Sequence, residues 1–172
     1  NHPVMDSLRS RILAPGISYF ELEIIQIQHD EEWKDTILLE VINSEQFLLD
    51  SKEQVIRVNG DTIYTYNLKS EQIVIDRMLR DEFTIFDLLR GKFQGVKIAR
   101  VSVELEYTLV EFNIGSMDIS GTLWINTDTY LPKKIQVEYA MVNQFYINVI
   151  RFANKLKRTN RNDLNTSGWE TI

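Results

Sequence analysis

The sequence predicts a mainly β (α+β) fold, a curved antiparallel half-barrel of about 10–11 strands whose concave face is covered by short helices. Most segments between residues 17 and 152 alternate apolar with polar side chains, as in residues 101–109. Turn residues separate these segments, and Asn59-Gly60 is the strongest short hairpin signal. A sheet of this size must curl, and its apolar concave face then needs a cover.

A first helix is predicted near residues 4–13. Pro3 suits a first-turn position, and Met5, Leu8 and Ile12 recur at helical spacing. The Ala-Pro-Gly run that follows Leu13 would end this helix.

A second helix is predicted near residues 84–90, where the strand pattern is interrupted. Phe83, Phe86 and Leu89 recur every third residue, and Gly91 follows as a helix stop. These two helices are the predicted cover of the sheet.

Two phase shifts predict local irregularities, the first a β-bulge and the second a β-bulge or a tight bend. The apolar positions change phase between Ile24 and Ile25, and again between Leu109 and Val110. A shift of one residue within a strand is typical of a bulge, which bends and twists a sheet.

Composition favours one folded domain over residues 1–172, with an irregular polar tail at residues 155–172. Hydrophobic residues make up 44% of the chain and charged residues 26%, a globular balance. The formal net charge of −6 argues against nucleic-acid binding, which needs a basic face. The chain has no cysteine and no apolar run of the ~20 residues that span a bilayer.

The titratable residues do not indicate an enzyme. Two carboxylate pairs, Glu21/Glu23 and Glu104/Glu106, fall on polar strand faces, and Asp81/Glu82 is a third adjacent pair. The two histidines, His2 and His29, have no visible partners for a catalytic triad or a metal site. We therefore predict no catalytic residue, no metal site and no cofactor.

Several motifs, in order, carry a family resemblance. They are VNGDTIYTYN at 58–67, Gln72 on the next strand, TIFDLL at 84–89 and DTYLPKKI at 128–135. Their order and spacing, from about residue 8 to residue 152, resemble those of the LolA family of periplasmic outer-membrane lipoprotein carriers. The resemblance implies a half-open barrel that shelters acyl chains.

Two features depart from that family. Its Phe-rich strand that closes in Pro-Gly near the end is not visible here, where only Trp169 stands near that place. The other departure is on the third strand. The family's better-known members carry Arg-Pro-x-x-Phe on that strand, and this chain has NSEQF at 43–47. By the resemblance, Asn43 stands where an Arg holds the lid shut, and Phe47 keeps the aromatic. Asn43 is therefore predicted to contact the lid through a weaker, uncharged bond.

The predicted ligand-binding side chains are apolar or aromatic. The alternative reading of each is an ordinary packed core; the large concave surface, set against two short helices, favours a cavity. The predicted set is Phe20, Leu22, Leu39, Phe47, Leu49, Tyr64, Tyr66, Phe83, Phe86, Leu89 and Trp124.

The resemblance implies a non-enzymatic carrier of lipidated protein or another lipid. We expect a periplasmic monomer whose signal peptide has been removed, with an inner-membrane donor, an outer-membrane acceptor and transient membrane contact. A lipid anchor before Asn1 stays open as an alternative. A sensor or interaction domain with the same sheet, which would bind a regulatory protein or lipid signal, is the main rival. A lipocalin-like binder is a weaker one, since the early Gly-x-Trp of lipocalins is missing.

Overall fold

The computed structural model describes residues 2–79, 84–139, 143–157 and 164–172. Its α-helix, α1, spans Pro3–Ile12, and two 3-10 helices span Ile85–Arg90, called the lid helix below, and Gly115–Met117. The strands are β1 Ile17–Gln28, β2 Glu31–Asn43, β3 Gln46–Asp50, β4 Gln54–Asn59, β5 Thr62–Asn67, β6 Gln72–Arg77, β7 Lys97–Glu104, β8 Tyr107–Ile114, β9 Ile119–Asn126, β10 Pro132–Tyr139, β11 Asn143–Lys155 and β12 Glu170–Thr171.

The strands form one open sheet in the order β12-β6-β5-β4-β3-β2-β1-β11-β10-β9-β8-β7. Every pair is antiparallel except β12 with β6, which is parallel. Within the described residues no pairing joins β7 to β12, so the sheet does not close into a barrel. The predicted curved antiparallel sheet with a helical cover is confirmed.

Helix α1 forms where the apolar spacing predicts it. Pro3 occupies its first turn, and the His2 ring nitrogen Nδ1 accepts a hydrogen bond from the Val4 amide at 3.2 Å. Met5, Leu8 and Ile12 are all buried against the sheet. The helix is held by this apolar stripe, because an isolated helix of this length is marginal in water.

No bulge lies at the second phase shift, because β8 runs through Leu109 and Val110 with unbroken pairing there to β7 and β9. The tight bend predicted as the alternative lies a few residues earlier. β7 ends at Glu104 and β8 begins at Tyr107, so Leu105 and Glu106 form a two-residue turn. Leu105 adopts a φ of 54°. A non-glycine residue seldom takes this left-handed conformation, so the residue types gave no turn signal.

The first phase shift does not interrupt β1. β1 pairs with β2 without a break, and the irregularity lies in its pairing with β11. There Glu21 is opposite Arg151 and Leu22 is opposite Val149, which leaves Ile150 as the extra residue. The bulge therefore belongs to β11, and Ile25 points to the face opposite Ile24.

The tail is not wholly irregular. Glu170 and Thr171 form β12, which lies beside Gln72 and Ile73 of β6. This two-residue strand raises the number of strands above the predicted range. The residue types of this strand give no strand signal. It forms because it pairs with a segment about a hundred residues earlier in the chain.

The two faces of the sheet carry separate apolar clusters. The large cluster lies on the inner face, beneath α1 and the lid helix, and includes Phe20, Leu39 and Leu123. The outer cluster is small and is built on Leu48, Val55 and Tyr66. No helix in the described ranges is long and apolar enough to cross a membrane.

Candidate functional site

The inner face of strands β1 to β3 forms the floor of the site. Phe20, Leu22 and Leu39 are completely buried there, and Phe47 is nearly so. Phe20 packs on Phe152 of β11 with ring centroids 5.0 Å apart. Alternate residues of each strand share a face, so period-two sequence places these side chains together.

The lid helix is stabilised at both ends by its own sequence. Thr84 is its N-cap, and its backbone amide donates to Asp87 Oδ2 at 3.1 Å, while its hydroxyl lies 3.3 Å from Asp87 Oδ1. Gly91 ends the helix with a φ of 74°, which glycine adopts without strain. Ile85, Leu88 and Leu89 project onto the sheet and are buried.

Arg90 joins the lid helix to the sheet. Its side chain is 1% exposed, lies 2.8 Å from the Asp87 carboxylate and stacks over the Phe47 ring at 4.0 Å. Burial lowers the pKa of the Arg90 guanidinium, and the charge of Asp87 opposes that shift. Its Nε finds no acceptor among the described residues. A buried donor without a partner costs about 1–3 kcal/mol, so the hydrogen-bonding capacity of the buried Arg90 guanidinium is only partly satisfied.

A second ion pair links the lid region to the β2–β3 turn. Lys92 Nζ lies 3.0 Å from Glu45 Oε1, and both side chains are substantially exposed. An exposed pair contributes about 0–1 kcal/mol. Arg90 is therefore the stronger of the two contacts.

A small cavity opens between the lid helix and the ends of β9 and β10. Its volume is ≈ 240 Å³. Burial raises the pKa of the Tyr139 phenol in its wall, so the hydroxyl is neutral at physiological pH. The lining side chains are Thr84, Ile85, Phe86, Met117, Ile119 and Tyr139.

Seven of the predicted ligand-binding residues meet in the inner cluster. They are Phe20, Leu22, Leu39, Phe47, Leu49, Phe86 and Leu89. With α1 and the lid helix in place they form a packed surface, and their contact with a ligand stays a prediction. Phe83 lies outside the described residues.

Three predicted residues lie on the other face, which corrects the expectation of one cavity for all. Tyr64 and Tyr66 belong to the outer cluster. Trp124 alternates with buried Leu123 and Ile125 and lies under Lys134, whose Nζ is 4.9 Å from the ring. In β9 the alternation itself places Trp124 on the face opposite Leu123 and Ile125, so the sequence could have assigned it to the other face. In β5 the tyrosine phase is the more apolar one, and it faces outward because the 164–172 segment covers it.

The hydrogen bonds that the structure describes for Asn43 do not reach the lid helix. The Asn43 amide donates to Gln46 Oε1 at 3.1 Å, and its Oδ1 accepts from the Glu45 amide at 2.9 Å. These bonds shape the β2–β3 turn, and the side chain is exposed. Sequence reasoning missed Arg90, because a basic residue before a helix-stop glycine ordinarily lies in solvent.

The carboxylates outside the lid have surface partners. Glu21 lies 3.7 Å from Arg151, and Glu23 accepts from the Asn148 amide at 3.1 Å. Among the described residues no group of three or more His, Asp or Glu side chains is placed to hold a metal ion.

Known structures share this architecture although their sequences differ. No protein-family model and no curated protein matches the sequence. A LolA superfamily protein from Nitrosomonas europaea superposes with a TM-score of 0.54 at 13% identity, covering 94% of this chain and 96% of that one. The chain has a LolA-type fold. The predicted resemblance is therefore confirmed at the level of the fold.

Two further solved structures superpose on this chain. An uncharacterized protein from Thermus thermophilus has a TM-score of 0.63 at 6% identity, covering 98% of this chain and 96% of that one. A domain from Vibrio parahaemolyticus, described as an outer membrane lipoprotein-sorting protein, has a TM-score of 0.51 at 10% identity, with 95% of both chains covered. At these identities the LolA-type fold is shared, and the cargo does not follow from it.

Proposed function

We propose that this protein is a non-enzymatic carrier that binds the acyl chains of a lipidated protein, or of another lipid, beneath the lid helix. The observation that supports it is the cover of the inner face. A sheet of twelve strands has one apolar face covered by a ten-residue helix and a six-residue 3-10 helix. Two short helices that contribute no strand to the sheet can move away while the sheet stays paired.

Lid opening is what would make room for the ligand. The cavity of ≈ 240 Å³ lies below the roughly 300–1,000 Å³ of ordinary ligand sites. When the lid helix moves, the floor of Phe20, Leu22 and Leu39 becomes available to an acyl chain. Each methylene transferred from water to that floor contributes about 0.8 kcal/mol of binding free energy. This gain can offset the free energy lost when Leu88 and Leu89 leave the sheet.

The proposed setting is the periplasm, with transfer from an inner-membrane donor to an outer-membrane acceptor. The fold and the lipoprotein-sorting description of the Vibrio parahaemolyticus domain support this setting. No covalent step is needed, because binding, sheltering and release are changes of environment.

Organic extraction tests the proposal directly. Protein purified from its native compartment without detergent is extracted and analysed by mass spectrometry. Acyl chains in stoichiometric amount are expected, and Leu39→Arg, which places a charge on the buried floor, should lose them. A folded Val103→Arg control, on an exposed strand position, should retain them. A clean wild-type extract with a co-purified protein would favour the sensor function instead.

The carboxylates and the histidine near the hairpin ends are expected to be dispensable. His29, Glu104 and Glu106 are exposed and lie on turns or strand ends. Replacing each by Ala should change lipid binding by less than about threefold, since surface substitutions usually change stability by under about 0.5 kcal/mol. Titration with a fluorescent fatty-acyl probe measures the affinity. A loss of affinity above about tenfold in one variant would show that the replaced residue takes part in function directly.

A further inference from the structure

The outer cluster is partly covered by the 164–172 segment. Leu164 and Trp169 of that segment pack on the outer cluster, and the Trp169 ring meets Tyr66 edge-on with centroids 6.4 Å apart. Arg57 stacks over Tyr64 and Tyr66 at 4.8 and 5.6 Å. The Trp169 ring is thus seated on an apolar surface that also carries an arginine stacked on two tyrosines.

The backbone of the segment extends the sheet. The amides of Glu170 and Ile172 donate to the carbonyls of Glu71 at 3.1 Å and Ile73 at 2.8 Å. The Gln72 side-chain amide donates to Glu170 Oε2 at 3.1 Å. Main-chain pairing with alternate side chains in pockets is the geometry of peptide recognition by strand addition.

The 164–172 segment is held more weakly than the other strands of the sheet. Its strand is two residues long and is the parallel one, and parallel pairing is slightly less stable per residue. Trp169 is half-buried, and Glu170, Thr171 and Ile172 are exposed. Few buried contacts and exposed backbone bonds mean that the segment can open locally while the rest of the sheet stays folded.

We propose that the outer edge of β6 and the outer cluster form a peptide-binding site. In this structure the 164–172 segment of the same chain occupies it. The ligand it fits is an extended peptide of a partner protein that runs parallel to β6. Such a peptide carries an aromatic residue for the Tyr66 contact, followed by an acidic residue for Gln72. The segment itself shows this pattern as Trp169-Glu170.

A labelled peptide tests the site. The probe is NTSGWETI, the sequence of residues 165–172, followed by fluorescence polarisation. A tethered segment has an effective concentration near the millimolar range, so wild-type protein should bind the probe weakly. Trp169→Ala, which loosens the segment, should bind at least about tenfold more tightly. Trp33→Ala, which removes an exposed tryptophan remote from the outer cluster, should match wild type.

A reversible disulfide between the segment and β6 distinguishes displacement of the segment from unfolding of the protein. The chain has no cysteine, and Gln72 and Glu170 are register partners. In the Trp169→Ala background, Gln72→Cys with Glu170→Cys should form one disulfide and abolish probe binding when oxidised. Reduction should return binding to the level of Trp169→Ala with Gln72→Cys alone, which lacks the Gln72 contact. Failure of the probe to bind reduced Trp169→Ala protein, equal binding to all variants, or binding that survives oxidation would each overturn the proposal. A wild-type dimer formed by exchange of the segments would assign the site to a second copy instead.

Discussion

Replacing Arg90 by methionine is expected to speed uptake of a fluorescent fatty-acyl probe by roughly 30-fold. Arg90 contacts both Asp87 and Phe47, and its removal leaves the buried Asp87 carboxylate without its countercharge. Breaking a buried ion pair costs about 3–5 kcal/mol. Because methionine retains some packing and Thr84 still donates to Asp87, we take about 2 kcal/mol as the loss of closed-lid stability. Because about 1.4 kcal/mol corresponds to a factor of ten, a loss of about 2 kcal/mol raises the population of the open state roughly 30-fold.

Stopped-flow fluorescence on matched variants checks this result. Arg100→Met removes an arginine that is 72% exposed and should leave the rate unchanged. Asn43→Arg should also match wild type, since Asn43 bonds only within its own turn. The double change Asp87→Asn with Arg90→Met removes both charges and should recover much of the closure. If Arg90→Met and Arg100→Met take up the probe at the same rate, Arg90 does not hold the lid.

Replacing Gly121 by alanine is expected to destabilise the protein by about 3 kcal/mol. Gly121 lies in β9 between Val137 of β10 and Phe112 of β8. A Cβ atom there would collide with the Gln136 carbonyl oxygen and lie 2.7 Å from Phe112 Cζ. Phe112 is 3% exposed, so its ring has little room to move, and the strain must be taken up by the sheet itself.

Urea unfolding measures this loss, and Gly115→Ala is its control. Gly115 has no heavy atom within 4 Å of its would-be Cβ, so that variant should stay within about 0.5 kcal/mol of wild type. In a chain of this size, about 3 kcal/mol lowers the melting temperature by roughly 6–12 °C. Equal stability of the two variants would mean that the Phe112 ring can move aside at little cost.

Local patterns were sufficient for the elements that depend on neighbours in sequence. The spacing of Met5, Leu8 and Ile12 predicts α1, and Asn59-Gly60 predicts the β4–β5 hairpin. The same patterns failed where the decisive partner is remote. β12 forms because Glu170 lies beside Gln72, and the bulge opposite β1 is set by Ile150 of β11.

The candidate site divides in the same way. Alternation placed Phe20, Leu22 and Leu39 on one face, because residues two apart in a strand share a side. It placed Tyr64 and Tyr66 on the wrong face, because their phase of β5 is the more apolar one and its cover comes from the remote 164–172 segment on the outer face. It could not identify Arg90, whose burial depends on how the lid helix lies over Phe47.

The sequence by itself determined the curved antiparallel sheet, its helical cover and the apolar floor, because periodicity and turn chemistry are local properties. Only the tertiary structure decided which face each ambiguous strand presents and which charged side chain is buried between the lid helix and the sheet. It also decided what occupies the edge of β6. Those outcomes depend on the relative free energies of contacts between distant segments, and such contacts leave no periodic mark on the chain.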